Sequence, residues 1–393
     1  VYRSMEYNTD DIAALKDIDP DANVNLRTVE LSFDRSCNFA CSYCNPTYST
    51  SWGKDIEKNG PYQKFKTLTA GAYQQDGTWA DPENKYLDKN PYVDAFFRWW
   101  PTLSKDLQTL RITGGEPSTS PSFWKFLDRI RHEPVPHLNL SVNSNLGVKD
   151  GLIDKLIETT NVLELGSYDI YTSNESYGPH AEYLRDGMDY QVWRNNVVRM
   201  IEEANIRQLV VMMTVNGLSL MSITEFMDDM MLLKKKYGKN MPTMDLNFLR
   251  WPAFMSPLNL PDEVKAEAGK KIQAWLDKHR DSGFLLEHEI TQIQRVIDYI
   301  DVVKQGHSRA EEDIEKHFHD FKSFYVQYDK RRGKDFKKTF PMLAEWYDTL
   351  EVDETIEDVK QTSGGMEGWE IGEYKPDILK RAKASAGSWT KIV

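Results

Sequence analysis

Three cysteines, Cys37, Cys41 and Cys44, stand within eight residues of one another, and the 393-residue chain contains no others. Their C-x3-C-x2-C spacing places three thiolates on one short loop. Soft sulfur donors suit iron–sulfur chemistry, and three of them can hold three irons of a four-iron cluster. The fourth iron then keeps an open position, which makes it a reaction site and not only an electron carrier. A structural zinc needs a fourth Cys or His close by, and the nearest histidine in sequence is His132. The spacing therefore favours a cluster over zinc or three inert buried thiols. An odd, tightly grouped set is also the wrong inventory for a secreted disulfide framework, so a reducing, cytoplasmic setting is expected.

The elements that must position this loop are legible as alternating short runs. Thr28–Asp34, Gln108–Thr113, His137–Asn143, Val162–Asp169, Arg207–Asn216 and Thr243–Leu249 read as strands. Amphipathic stretches at Tyr92–Lys105, Ser122–Arg131, Asp150–Thr159, Tyr190–Ala204 and Ser222–Tyr237 separate most of them. Repeated βα units predict a parallel sheet, and six strands predict an α/β fold built as a partial (β/α)6 barrel. Side chains alternate faces along a strand, and one face of nearly every run is polar. Arg111 and Thr113, Ser141 and Asn143, Ser167 and Asp169, and Asp245 and Asn247 are such pairs. A closed eight-stranded barrel fills its interior with branched apolar side chains. A polar inner face instead predicts an open barrel whose lumen holds ligand and water. The alternative is an open sheet with one solvated face, an arrangement uncommon among parallel sheets.

The predicted organisation is an N-terminal extension (1–23), the barrel (24–257) and a mostly helical C-terminal region (258–393). A long excursion, 45–90, follows the first strand. Pro261–Asp281, Glu289–Lys304, Ala310–Tyr328 and Asp335–Leu350 read as the C-terminal helices, and the basic run Lys330 to Lys334 as a solvated helix end. The net charge of -12 is spread over both parts of the chain, which leaves no broad basic face for a nucleic-acid backbone. No stretch approaches the roughly 18 apolar residues of a membrane span. The polar, acidic N-terminus reads as neither a signal peptide nor a transit sequence.

Cys37-x3-Cys41-x-Tyr43-Cys44, with an aromatic before the third cysteine, resembles the signature of radical S-adenosylmethionine (SAM) enzymes. Gly114-Gly115-Glu116-Pro117, ending the second strand, matches that family's GGEP element. The resemblance implies one [4Fe-4S] cluster on the three cysteines and SAM bound beside it, with the GGEP backbone and carboxylate holding the methionine amino group. Glycines permit close backbone approach, and Glu116 can accept charge-assisted hydrogen bonds from an ammonium. Ser144-Asn145 resembles the family's Thr-Asn-Gly, with Leu146 replacing the glycine. Ser167-Tyr168-Asp169 resembles its Ser-x-Asp, with Ser167 and Asp169 as candidates for ribose or substrate contact, Asp169 as the catalytic candidate and Tyr168 packing outward. Glu182-Tyr183-Leu184-Arg185-x-Gly187, followed by Trp193 and Asn196, is similar to a stretch of the twitch-domain or SPASM-like subgroup. There the arginine is implied to grip the SAM carboxylate, a task that suits a planar guanidinium. Thr214-Val215-Asn216 resembles a further SAM-contacting element.

The implied activity is reductive cleavage of SAM to a 5′-deoxyadenosyl radical that abstracts a hydrogen atom from a substrate. An external flavodoxin- or ferredoxin-like donor would supply the electron. A peptide or protein side chain is the substrate expected from the subgroup. A small metabolite or nucleoside is the alternative. A non-enzymatic metal-binding scaffold is a third reading, and it requires Glu116 and Arg185 to point away from the cysteine loop. One departure stands out, because twitch and SPASM domains carry extra cysteines for auxiliary clusters and this chain has none after Cys44. Its C-terminal region is therefore expected to cover the barrel mouth and shape the substrate pocket. A chain cut near Pro257, if it stays folded, is expected to keep its cluster and SAM cleavage while productive turnover collapses.

Overall fold

The computed structural model describes residues 19, 24–74, 90–301 and 311–352. The expectations for the N-terminal extension, for the far part of the excursion (75–89) and for the tail beyond 352 lie outside the described residues. From the N-terminus the elements are β1 (Thr28–Ser32), β2 (Ala40–Cys41), α1 (Thr50–Asn59), α2 (Gly71–Gln74), α3 (Pro91–Leu103), β3 (Thr109–Thr113), α4 (Pro121–His132) and β4 (Val135–Asn143). They continue with α5 (Asp150–Val162), β5 (Leu165–Ser173), α6 (Pro179–Leu184), β6 (Arg185–Asp186), α7 (Tyr190–Glu203), β7 (Gln208–Val215), α8 (Ile223–Tyr237) and β8 (Thr243–Phe248). The C-terminal region adds α9 (Asp262–His279), α10 (Glu287–Ile300), α11 (Glu311–Arg332), α12 (Phe336–Thr339) and α13 (Ala344–Thr349).

Six strands form one sheet in the order β1-β3-β4-β5-β7-β8, every neighbouring pair parallel. The order follows the chain without doubling back, as an open βα barrel requires, with β1 and β8 as the two outer strands. Leu110, Leu140, Ile170, Val211 and Met244 occupy the helix-facing side and are buried in the main core with Phe123, Trp193 and Phe226. The other side carries Arg111, Asn143, Asp169 and Asp245, so the polar lumen predicted from alternation is present. Tyr168 lies on the core side, as expected.

The edge of β8 is closed by a helix. Met244 N donates to Glu289 Oε1 at 2.8 Å and Leu246 N to Gln292 Oε1 at 3.0 Å, both acceptors on α10. Glu289 is itself held by Lys234 at 2.8 Å, with neither side chain exposed. Edge N–H groups are thereby paired instead of offered to another chain.

Two expectations about element boundaries are corrected. The fourth lumen strand was expected at Val162–Asp169, but Val162 ends α5 and β5 runs on to Ser173, because Ile170 and Thr172 continue the buried alternation. Asp335–Leu350 is not one helix. It breaks into α12, a short 3-10 turn at Pro341–Leu343 and α13, since proline disfavours a helical Phe340 before it and lacks an N–H.

A second core lies outside the barrel and is mostly aromatic. Trp52 and Tyr62 of the excursion, with Tyr73 of α2, pack on Phe324 of α11 with ring centres 6.3, 5.1 and 5.1 Å apart. Phe254, Tyr325 and Tyr328 join the same cluster, with Tyr43 and Cys44 packed against it. The basic run was expected to be solvated, and Arg331 and Arg332 are instead turned inward. Arg332 spans Tyr62 Oη at 2.7 Å and Asp186 at 3.1 Å with its guanidinium over Trp52, and its side chain is only 6% exposed. Arg331 binds Asp55 and the Gly60 and Pro61 carbonyls. Aromatic faces and carbonyls accept guanidinium groups well, which charge counting along a helix end does not register.

Candidate active site

The cysteine loop leaves the C-terminal end of β1 and is anchored residue by residue. The first turn of α1 supplies three hydroxyls: Ser49 Oγ donates to Phe39 O at 2.7 Å, Ser51 Oγ donates to Cys37 O at 2.7 Å, and Thr50 Oγ1 accepts from Cys37 N at 3.1 Å. Trp52 Nε1 donates to Cys41 O at 2.9 Å and Tyr73 Oη to Ser42 O at 2.9 Å. A turn, Cys44 N to Cys41 O at 2.9 Å, folds the third cysteine back. All three thiols are free and half-buried. Burial pushes Cys37 up to about 12, with the neighbouring Cys41 adding to it. Cys41 and Cys44 are raised too, chiefly by burial, and Cys44 feels both other thiols. Among the described residues no three Cys, His, Asp or Glu groups are already gathered around an ion position. The fit to a cluster rests on donor chemistry: three soft thiols share one loop whose shorter backbone bonds are made by hydroxyl and indole groups, with Cys37 Sγ accepting only a 3.4 Å contact from Phe39 N.

The glycines of Gly114-Gly115-Glu116-Pro117 are required by backbone contact with this loop. Gly114 has φ of 121°, and a Cβ there would lie 2.6 Å from Asp34 O. A Cβ on Gly115 would collide with the Ser36 and Arg35 carbonyls. Glu116 N then donates to Ser36 O at 2.6 Å. Two strand ends are thus laid directly against each other, and Glu116 contributes to the field at Cys37.

Glu116 is 1% exposed and its carboxylate is filled by donors from this chain. Oε1 accepts from Ser118 N (3.1 Å), Ser118 Oγ (2.7 Å) and Ser144 Oγ (2.9 Å), and Oε2 from Asn145 N at 2.5 Å. Burial pushes its pKa up, against these hydrogen bonds. Pro117 opens the short 3-10 turn that Glu116 caps. The carboxylate therefore ties the ends of β3 and β4 together. Glu116→Ala is expected to cost at least about 2 kcal/mol of stability, since it strands several buried donors. Chemical denaturation would show this, and an unchanged midpoint would mean those donors find other partners.

Ser144 and Asn145 are brought to this rim beside Glu116. Leu146 has φ of 50° and is fully buried, so the position at which the resembling motif carries glycine does adopt a left-handed conformation here. That conformation costs an L-residue roughly 1–2 kcal/mol, and burying the leucine side chain offsets it. Asn196 Nδ2 donates to Leu146 O at 2.8 Å, and Trp193 Nε1 to Thr172 Oγ1 at 3.1 Å. Asn196 holds the loop from α7, and Trp193 ties the same helix to β5.

Arg185 also reaches the cysteine loop. Its backbone pairs with Cys41 in the two-stranded β2–β6 ladder, and its guanidinium lies 5.5 Å from the Tyr43 ring centre. Its partner is Glu175, a residue the sequence reading did not select. Burial alone would lower the arginine pKa, but Glu175, Tyr43 and Cys41 raise it overall. Ending β5 early had left Glu175 inside an apparently ordinary loop. The polar run Ser173-Asn174-Glu175-Ser176 was the available signal.

Ser167 and Asp169 are placed differently from the rim residues. Asp169 sits four residues before the end of β5, about 13 Å at some 3.3 Å per residue. It is buried and accepts from Arg207 through Nε (2.9 Å) and Nη2, and from Gln208 Nε2 at 3.2 Å. Ser167 Oγ donates to Asn139 Oδ1 at 2.8 Å. Asn216 lies at the rim, yet its side chain is used locally, accepting from Ser219 N and donating to Thr214 O. A cleft of about 840 Å³ follows the lumen past Arg111, Asn143, Tyr171, Arg207 and Asp245 to His288.

No protein-family model matches the chain, and no curated protein matches it in sequence. Among solved structures it is similar to Streptococcus suis SuiB bound to S-adenosylmethionine (10% identity, TM-score 0.36, 65% of this chain and 46% of that one). It is also similar to anSMEcpe with bound AdoMet and Kp18Cys peptide (12%, 0.37, 65% and 62%). A third is TYW1 with a lysine-pyruvate adduct bound (12%, 0.31, 62% and 72%). The chain spans about half the length of SuiB and less than two thirds of anSMEcpe.

Proposed function

We propose that this chain is a radical SAM enzyme acting on a peptide or protein side chain. The observation that carries the proposal is the backbone junction between Gly114-Gly115-Glu116 and the Asp34-Arg35-Ser36 segment that leads directly into the Cys37–Cys44 loop, a junction only glycines can make. Cys37, Cys41 and Cys44 would hold a [4Fe-4S] cluster. With the cluster and SAM bound, the chemistry supplied is reductive cleavage of the sulfonium to methionine and a 5′-deoxyadenosyl radical that takes a hydrogen atom from the substrate. The chain's own residues bind and orient. Arg185, with Tyr43 stacked on it, offers a cation for the methionine carboxylate. The backbone of Gly114 to Pro117 lines the methionine position, and Ser144, Asn145 and Asn216 stand on the same rim.

The scaffold reading needed Glu116 and Arg185 to point away from the loop. Arg185 lies against Cys41 and Tyr43, whereas Glu116 meets the segment before the loop through its backbone and turns its carboxylate to Ser118, Ser144 and Asn145. Asp169 and Ser167 lie deeper in the lumen, away from the rim, and are engaged by Arg207, Gln208 and Asn139. The peptide assignment rests on the resemblance to the twitch-domain and SPASM-like subgroup, and the electron is assigned to an external flavodoxin- or ferredoxin-like donor. The test is anaerobic reconstitution followed by reductant and SAM. Methionine and 5′-deoxyadenosine are expected in equal amounts. Stoichiometric zinc in anaerobically purified protein, without iron uptake, would overturn the proposal.

A further inference from the structure

Glu175 lies two residues beyond β5 and has no exposed surface. Its Oε1 accepts from Tyr43 Oη at 2.8 Å, and its Oε2 accepts from Arg185 Nε at 3.2 Å and Nη2 at 2.6 Å. Tyr43 immediately precedes Cys44, and Arg185 pairs with Cys41. One carboxylate thus joins three segments: the end of β5, the cysteine loop and the start of β6. The strand end itself does not depend on this acid, because Asn174 N donates to Met212 O and Asn174 Oδ1 accepts from Glu175 N. A buried ion pair is a weak source of net stability but fixes geometry when its hydrogen bonds are complete. Here both carboxylate oxygens are filled. The guanidinium is held along its Nε–Nη2 edge, and its plane is set by Glu175 on one side and the Tyr43 ring on another.

We infer that Glu175 is a positioning residue for anion recognition: it orients Arg185 beside the cysteine loop so that the remaining Nη1 side meets the ligand's carboxylate, without touching the ligand itself. The inference rests on the radical SAM reading. Its signature is dependence on Arg185: once the arginine is gone, Glu175 has nothing to orient.

The experiment measures SAM affinity and iron content of the reconstituted full-length protein as wild type, Glu175→Ala, Glu175→Gln, Arg185→Ala and the Glu175→Ala/Arg185→Ala double variant. Glu175→Ala and Arg185→Ala are each expected to weaken SAM binding about tenfold or more. The double variant should bind no more weakly than Arg185→Ala alone. Glu175→Gln, which keeps an acceptor oxygen for Tyr43, should lose less than Glu175→Ala. Multiplied losses in the double variant would mean that Glu175 contacts the ligand independently, and would overturn the inference. So would unchanged affinity in Glu175→Ala. Should Glu175→Ala fail to retain iron, Glu175→Gln carries the comparison in both arginine backgrounds with the same criteria. Wild-type protein that retains iron yet binds no SAM would instead overturn the radical SAM reading.

Discussion

Cys37→Ala, Cys41→Ala and Cys44→Ala proteins are each expected to leave anaerobic reconstitution without a stable cluster, whereas the parent takes up about four irons per chain. The chain has no other cysteine to substitute, so a two-thiolate loop is all that remains. The fold should survive each change, because the loop backbone is held chiefly by Ser49, Ser51, Trp52 and Tyr73, and the thiols add only long contacts, Phe39 N to Cys37 Sγ at 3.4 Å and Cys44 Sγ to Asn45 O at 3.7 Å. Far-ultraviolet circular dichroism should therefore stay near the parent's while iron is lost. Loading of the parent should also become faster as pH rises. Burial raises all three thiols, Cys37 to about 12. Below that value the thiolate fraction grows about tenfold per pH unit, and the thiolate is the ligating form. A single variant retaining the full iron complement would remove that cysteine from the ligand set, and uptake falling between pH 7 and 9 would contradict the direction.

The barrel was legible because period-2 alternation and its interruptions are local. Each lumen strand was found within a few residues, and β5 was the least accurate because Gly166 and the helical Val162 blur its start. The contacts among the cysteine loop, Gly114 to Pro117 and Ser144-Asn145 were legible only through motif resemblance. Their physical cause, carbonyls pressed against Gly115, depends on residues about eighty positions apart. Glu175 was missed for the same reason: its partners lie 132 and 10 residues away. The inward turn of Arg331 and Arg332 was not legible at all. A basic helix end looks the same in sequence whether it meets water or a wall of aromatic rings, and only the excursion folded onto α11 decides between them.

That wall bears on the condition that a chain cut near Pro257 stay folded: such a chain is expected to lose its cluster site. Removing everything beyond that residue deletes Phe321, Phe324, Tyr325, Tyr328 and Phe336 from the second core. Trp52, Tyr62, Tyr73, Tyr183 and Phe254 are left without their cover. Burying one large apolar side chain is worth roughly 1.5–3 kcal/mol, so partly uncovering five amounts to something on the order of 5–10 kcal/mol. That is comparable with the whole stability of about 5–15 kcal/mol that a folded chain commands. The loss falls where it matters, since Trp52 and Tyr73 bond the carbonyls of Cys41 and Ser42. The cut also removes Glu289 and Gln292, exposing the N–H groups of the β8 edge to pairing with other copies. The truncated chain should bind a hydrophobic dye, associate, and retain little iron. A gentler version, Phe324→Ala, is expected to destabilise the full chain by about 3–5 kcal/mol while leaving the lumen face intact. A truncated protein that stays monomeric with the parent's iron content would show that the aromatic wall protects something other than the cysteine loop.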